Sequence, residues 1–196
     1  MKDKVDKLLE IIRENLSEVD EESTNMFIKF LLRTLGEGKI FVVGAGRSGL
    51  VARAFAMRLM HVGFNVYVIG ETVTPSVDPG DLVVVVSGSG ETKYPLSAAQ
   101  VAKEAGASVV AVTSFPESSL GQLADLVVRI GGRVLPKNNS RDYFTRQILG
   151  IHEPLTPLGT LFELSSMIYF DALIAELVEL LGKSEEDLAK RHATIE

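Results

Sequence analysis

Residues 81–92, Asp81-Leu-Val-Val-Val-Val-Ser-Gly-Ser-Gly-Glu-Thr92, decide the fold. An aliphatic run without polar alternation describes a strand buried on both faces, the environment of a parallel sheet. The run breaks into a Gly/Ser turn, and a helical pattern follows over about 92–105. Strand, tight turn and helix make the first half of a βαβ unit. The pattern repeats on both sides. Lys39-Ile-Phe-Val-Val43 precedes a Gly-rich turn and a helix at about 47–62, and Asn65-Val-Tyr-Val-Ile69 is a further run. Ser108-Val-Val-Ala-Val-Thr113 and Asp125-Leu-Val-Val-Arg-Ile130 complete the set. Parallel neighbours joined by helices require right-handed crossovers. The expected architecture is a three-layer α/β sandwich with a five-stranded parallel sheet, of flavodoxin-like type.

The flanks read as helices. Val5, Leu8, Leu9 and Ile12 recur at helical spacing, and Ser17-Glu-Val-Asp20 reads as a capping box opening a second helix with Phe27, Phe30, Leu31 and Leu35 inward. Gly36 and Gly38 end it. Residues 1–36 are thus N-terminal helices and 37–196 the α/β domain, together one globular unit. Residues 131–156 are irregular, with Gly131, Gly132, Pro136, Gly150 and Pro154. Thr156-Pro157 reads as an N-cap followed by proline at the first helical position. That helix runs to about Leu181 and stops at Gly182, and Ser184-Glu-Glu-Asp187 caps a last short helix ending near His192.

The chain has 196 residues, 46% hydrophobic and 23% charged, which suits a single core. With no cysteine, thiolate metal sites, disulfides and cysteine nucleophiles are excluded. The net charge of −6 argues against nucleic acid or an anionic membrane as partner. No apolar stretch reaches membrane-spanning length, and the first residues, MKDKVDKLLEIIREN, have no apolar signal core, so a cytoplasmic protein is expected. If such a chain binds an anion, local backbone dipoles and hydroxyls must hold it.

Two Gly-rich turns fall where parallel sheets bind ligands, after the carboxyl ends of strands. Gly44-Ala-Gly46-Arg47-Ser48-Gly49 fits the G-x-G-x-x-G dinucleotide pattern, with Glu71 at the end of the next strand as the ribose acid. Arg47 and Ser48 at a helix start suit a single phosphate equally well. Ser87-Gly88-Ser89-Gly90-Glu91-Thr92 separates the readings. It brings three hydroxyls, Ser87, Ser89 and Thr92, to one helix start, with glycines that let the backbone come close. A phosphomonoester offers about two charges and three acceptor oxygens. A dinucleotide fold has no use for this second cradle, and a helix cap needs only one hydroxyl. Gly46, Arg47, Ser48, Ser87, Gly88, Ser89 and Thr92 are therefore the expected phosphate and substrate ligands. Glu91 is accounted for by the helix dipole alone.

Glu163 shares a helix face with Met167, Phe170, Ile174, Leu177 and Leu181. A carboxylate heading an apolar stripe is desolvated and suited to act as a base, although first-turn charge complementing the dipole explains it as well. The helix is apolar nearly all round (Leu161, Phe162, Leu164, Ile168, Leu173), which calls for cover by a partner subunit. The three histidines, His61, His152 and His192, have no metal-ligand spacing.

Ser-Gly-Ser-Gly-Glu-Thr after a strand resembles the SIS (sugar isomerase) family of phosphosugar-binding domains. Gly44–Gly49, Phe55-Ala-Met-Arg-Leu-Met-His61, Gly70-Glu-Thr-Val-Thr-Pro-Ser76 and Lys190-Arg-His192, taken together, are similar to its 6-phospho-3-hexuloisomerase branch. The resemblance spans about residue 38 to the C-terminus. It implies interconversion of 3-hexulose 6-phosphate and fructose 6-phosphate through an enediol, in the ribulose monophosphate route of formaldehyde handling. It implies a homotetramer with shared active sites, no metal and no cofactor. It also favours Glu163 as base, with His192, and after it His61, handling the sugar oxygens. A non-catalytic sugar-phosphate sensor, or an isomerase of arabinose 5-phosphate or sedoheptulose 7-phosphate, would carry the same phosphate motifs.

Overall fold

A computed structural model describes residues 1–132 and 160–192. The aliphatic runs form β1 (Lys39–Gly44), β2 (Asn65–Val68), β3 (Leu82–Val86), β4 (Ser108–Thr113) and β5 (Leu126–Arg129). The intervening and flanking helices are α1 (Lys2–Ser17), α2 (Glu21–Arg33), α3 (Gly46–Val62), α4 (Lys93–Glu104), α5 (Ser119–Leu123), α6 (Leu161–Leu180) and α7 (Glu185–Ala189). The sheet order is β2-β1-β3-β4-β5, and every neighbouring pair is parallel. The order reverses between β1 and β3, which places the topological switch point, where such folds bind ligands, between the two Gly-rich turns.

The pleat sorts the aliphatic residues into two layers. Ile40, Val42, Leu82, Val84, Val86, Val110 and Val112 pack with Phe27 and Leu31 of α2, Phe55 and Leu59 of α3, and Phe170 and Leu173 of α6. Phe41, Val43, Val83, Val85, Val109 and Ala111 face Ala99 and Ala102 of α4 and Leu120 of α5. All five residues of β3 are buried, which is why its sequence lacks polar alternation. α2 shares one apolar cluster with the sheet.

Two aspartates hold the amino-terminal edge of the sheet. Asp81, 4% exposed, accepts hydrogen bonds from the N–H groups of Lys39 at 2.9 Å and Asp78 at 2.8 Å. Asp125 accepts from the Val109 N–H at 2.8 Å. Each carboxylate precedes one strand and takes the opening amide of its neighbour, so both fix register where the ladder begins.

The helix caps match the sequence reading at α7 and depart from it at α2. Ser184 Oγ accepts from Asp187 N at 3.2 Å while the Asp187 carboxylate accepts from Ser184 N at 3.1 Å, a complete capping box. At α2 the cap is Asp20, whose carboxylate accepts from Ser23 N at 2.7 Å, not Ser17. α1 continues through Ser17, and the Ser17 hydroxyl donates back to Glu14 O at 2.7 Å, so it is spent on the helix it closes. The expected helix start at Thr156-Pro157 lies outside the described residues.

α3 and α6 run parallel on one face of the sheet. Phe55 and Phe170 stack with centroids 4.1 Å apart and planes 13° apart. On the outer side of α6, Tyr169 is buried and donates to Thr24 Oγ1 of α2 at 3.2 Å. Burial raises its phenol from 10.0 to about 12. A group whose folded pKa is raised stabilises fully below its unfolded value and loses that contribution as pH climbs through the folded one. Tyr169 should therefore contribute up to about 3 kcal/mol that disappears between roughly pH 10 and 12. Urea denaturation across this window should show a steeper loss of stability for the wild type than for Tyr169→Phe, and parallel curves would refute the assignment.

Candidate active site

The first turn uses two of its glycines for packing. A Cβ on Gly49 would lie 2.9 Å from the Gly44 carbonyl oxygen, and one on Gly44 would lie 2.9 Å from the backbone of Ser48 and Gly49. Gly44 and Gly49 thus bring the end of β1 against the start of α3. Gly46 opens α3, Arg47 is exposed on its first turn, and Ser48 is 8% exposed. Glu71, the acid a dinucleotide fold would need for ribose, forms an ion pair with Arg53 on α3. That engagement weighs against the nucleotide reading of G-x-G-x-x-G.

The second turn, residues 87–92, is tied down on one side. Gly88 O accepts from Ser114 N at 3.2 Å and from Thr113 Oγ1 at 3.4 Å, and Gly90 O accepts from Leu120 N at 3.1 Å. Its hydroxyls are placed otherwise. Ser89 Oγ and Thr92 Oγ1 are 3.4 Å apart, and Ser87 Oγ is buried with no hydrogen-bond partner among the described residues. Thr92 is the N-cap of α4 but makes no side-chain cap bond. The third helical position, a usual donor to a capping hydroxyl, is Pro95, which has no N–H. The Thr92 hydroxyl is therefore not committed to capping α4.

Glu163 lies in the first turn of α6 and is 6% exposed. Ser48 Oγ donates to its Oε1 at 3.5 Å, a long contact at the limit of a hydrogen bond. The parallel packing explains the meeting, because Ser48 and Glu163 each stand seven residues before the stacked Phe55 and Phe170. Phe162 lies against the second turn, where a Cβ on Gly88 would come within 2.9 Å of its ring. The start of α6 thus contacts both Gly-rich turns at the switch point. Ser165 and Ser166, fully buried in the same turn of α6, have hydroxyls without a hydrogen-bond partner among the described residues.

His61 and His192 are together but elsewhere. Their rings stack with centroids 5.0 Å apart at the carboxyl end of α3. Thirteen residues of helix, about 20 Å, separate Ser48 from His61. Within one protomer the histidine pair and Glu163 do not meet. His152 lies outside the described residues. Among the described residues no group of three His, Asp or Glu side chains is placed to hold a metal, and no helix is long and apolar enough to cross a membrane.

Sequence reasoning did not single out Thr113, Ser114, Ser118 or Ser119, which support the second turn from behind. The available signal was a polar pair closing an aliphatic strand, Thr113-Ser114, and a second hydroxyl pair after Pro116. A buried carboxylate at the switch point, near helix starts that carry the hydroxyls of Ser48, Ser87, Ser89 and Thr92, can abstract a proton from a substrate whose phosphate is held next to it.

Residues 35–133 match the SIS domain family. The chain is 44% identical to 3-hexulose-6-phosphate isomerase from Bacillus subtilis, over 83% of this chain and 82% of the relative. It is 38% identical to the enzyme of that name from Methylomonas aminofaciens, over 98% and 96% of the two chains. The solved structure of a Methanococcus jannaschii protein, from which a function of 3-hexulose-6-phosphate isomerase was inferred, is similar with a TM-score of 0.75 at 32% identity, covering 99% and 98% of the two chains.

The second turn should tolerate no side chain at Gly90, where φ is +66° and a Cβ would fall 1.9 Å from Ser118 Oγ. Gly80 also has positive φ, at +92°, but with nothing within 4 Å. Gly80→Ala should cost only backbone strain, about 1–2 kcal/mol, and Gly90→Ala clearly more. Equal losses in urea denaturation would show that the contact with Ser118 is unimportant.

Proposed function

The chain belongs to the SIS domain family and, within it, to the 3-hexulose-6-phosphate isomerases, and from that membership we propose that it interconverts 3-hexulose 6-phosphate and fructose 6-phosphate with Glu163 as the base. The observation that carries the reading is the burial of Glu163 at the switch point, against Ser48 of one Gly-rich turn and next to Phe162, which covers the other.

The two sugars are isomers at one oxidation level, so the reaction exchanges protons and consumes no reductant. Starting from the 3-ketose, Glu163 removes the proton at C2 as the C3 oxygen gains one, giving the 2,3-enediol. Loss of the proton on the C2 oxygen and return of a proton to C3 gives the 2-ketose. The phosphate occupies the opening of α4, held by Ser87, Ser89 and Thr92 and by the backbone of Gly88, with Gly46 and Arg47 on the facing turn. Ser48 contacts the base and, through it, the reacting end. Backbone amides and hydroxyls suit this task in a chain of net charge −6.

The proton on the sugar oxygens is assigned to His192 or His61 of a neighbouring subunit, because both stand about 20 Å along α3 from Ser48 in their own chain. A homotetramer with shared sites would bring them in. Leu50, Met57 and Met60 support it, forming an exposed apolar stripe along α3, with Val73 exposed as well. A cytoplasmic enzyme of formaldehyde handling through the ribulose monophosphate route fits this chemistry.

Fructose 6-phosphate incubated in deuterated water should take up deuterium at C3, with a 3-hexulose signal appearing by NMR. Glu163→Gln should lower the exchange rate by at least about 10³-fold while leaving phosphate binding intact. Phosphate-induced shifts without exchange in the wild type would instead identify a sugar-phosphate-binding module. Light scattering should give an assembly larger than the 21.3 kDa chain, and Met57→Asp should dissociate it and abolish turnover. An active monomer would overturn the shared site.

A further inference from the structure

Glu91 is the charged member of the second turn, and its side chain does not serve the helix it precedes. Its Oε1 accepts from Ser119 N at 2.7 Å and its Oε2 from Ser119 Oγ at 2.8 Å. Ser119 is the first residue of α5, the short helix between β4 and β5, whose start lies against the turn. The three opening amides of α5 are thereby all engaged. Ser119 N donates to Glu91, Leu120 N to Gly90 O at 3.1 Å, and Gly121 N to Ser118 Oγ at 3.2 Å. Two of the three acceptors come from residues 90 and 91 of the turn.

The neighbouring helix is the reverse case. The N-cap of α4, Thr92, follows Glu91 directly and makes no side-chain cap bond. One helix start is saturated by the turn, and the other has a cap hydroxyl that is not committed to it. Glu91 could have supplied a carboxylate to the start of α4, where it would repel a phosphate and compete for the same amides. Paired with Ser119, its charge is directed to the start of α5 and away from α4, and the turn is clamped between α5 and the end of β4.

We infer that Glu91 is a positioning residue: its two bonds to Ser119 hold residues 88–92 in the form that binds phosphate and draw a competing carboxylate away from α4. The inference rests on the reading of residues 87–92 as the phosphate cradle. Charge-assisted hydrogen bonds are the stronger kind, and two from one carboxylate also fix orientation. The Glu91 carboxylate is spent on Ser119, so its removal acts on binding and spares the proton-transfer step.

The test is steady-state isomerisation with fructose 6-phosphate, together with titration of inorganic phosphate by protein NMR. Glu91→Ala should raise KM, and weaken phosphate binding, roughly tenfold, with kcat within about twofold of wild type. Glu91→Gln keeps one acceptor for Ser119 and should recover part of the affinity, about threefold from wild type. Ser119→Ala, which removes only the Oγ bond, should resemble Glu91→Gln. If Glu91→Ala lowers the melting temperature while KM and phosphate affinity stay at wild-type values, Glu91 is merely structural and the inference fails. If kcat falls as much as KM rises, Glu91 acts on the chemistry and the inference fails. Ser87→Ala and Thr92→Ala separate the two levels. If they leave KM and phosphate affinity unchanged, the cradle reading itself is wrong. If they weaken binding and Glu91→Ala does not, only the positioning role is lost.

Discussion

The stacking of Phe55 on Phe170 at 4.1 Å sets where everything else can be. α3 is fixed to the sheet by the close approach of Gly44 and Gly49, so its position follows from β1. α6 reaches the same face from a distant part of the chain, and among the described residues no strand leads directly into it. Its register along α3 is decided by side-chain packing, with the two stacked rings at its middle. A shift of one helical turn, about 5.4 Å, would carry Glu163 out of reach of Ser48. It would also withdraw Phe162 from Gly88. A core contact in the middle of two helices thereby controls polar geometry at their ends.

The two edges of the sheet are built from different materials. At the amino edge, Asp81 and Asp125 close the ladders with carboxylates that take backbone amides. At the carboxyl edge the buried side chains that close β3 and β4 are hydroxyls: Ser87, Thr113 and Ser114. A carboxylate turned onto the opening of α4 would oppose a phosphate, and Glu91 is turned onto Ser119 instead, whereas a hydroxyl donates or accepts as required. The division follows from the strand direction. Helices that follow parallel strands point their positive ends at the carboxyl edge, so negative ligands belong there.

Much of the fold was legible because the strands are buried on both faces. Their runs of Val, Ile and Leu need no partner information to be recognised, and all five strands fall where the runs stand. Competition between adjacent caps was not legible. Ser17 and Asp20 both suit an N-cap, and the choice depends on how far α1 continues, which its packing decides. Within the site, the hydroxyl cluster at 87–92 and the head of the stripe at Glu163 were readable as local pattern. The pairing of Glu91 with Ser119 was not, because those residues, 28 apart in sequence, meet only through the packing of α5 against the turn. Local sequence offers the helix dipole as a sufficient account of Glu91, and only the tertiary arrangement shows another partner.

The histidines illustrate the same boundary at a larger scale. His61 and His192 stack on each other, so their proximity follows from the return of α7 to the carboxyl end of α3. Glu163 stands at the amino end of that helix. A straight α3 cannot bring its two ends together within one protomer, however its side chains turn. If both groups act on one sugar, the helix must present its ends to different subunits, and the exposed stripe of Leu50, Met57 and Met60 runs along the length between them. Oligomerisation would then be a condition for assembling the proton-transfer groups, beyond any gain in stability from covering apolar surface.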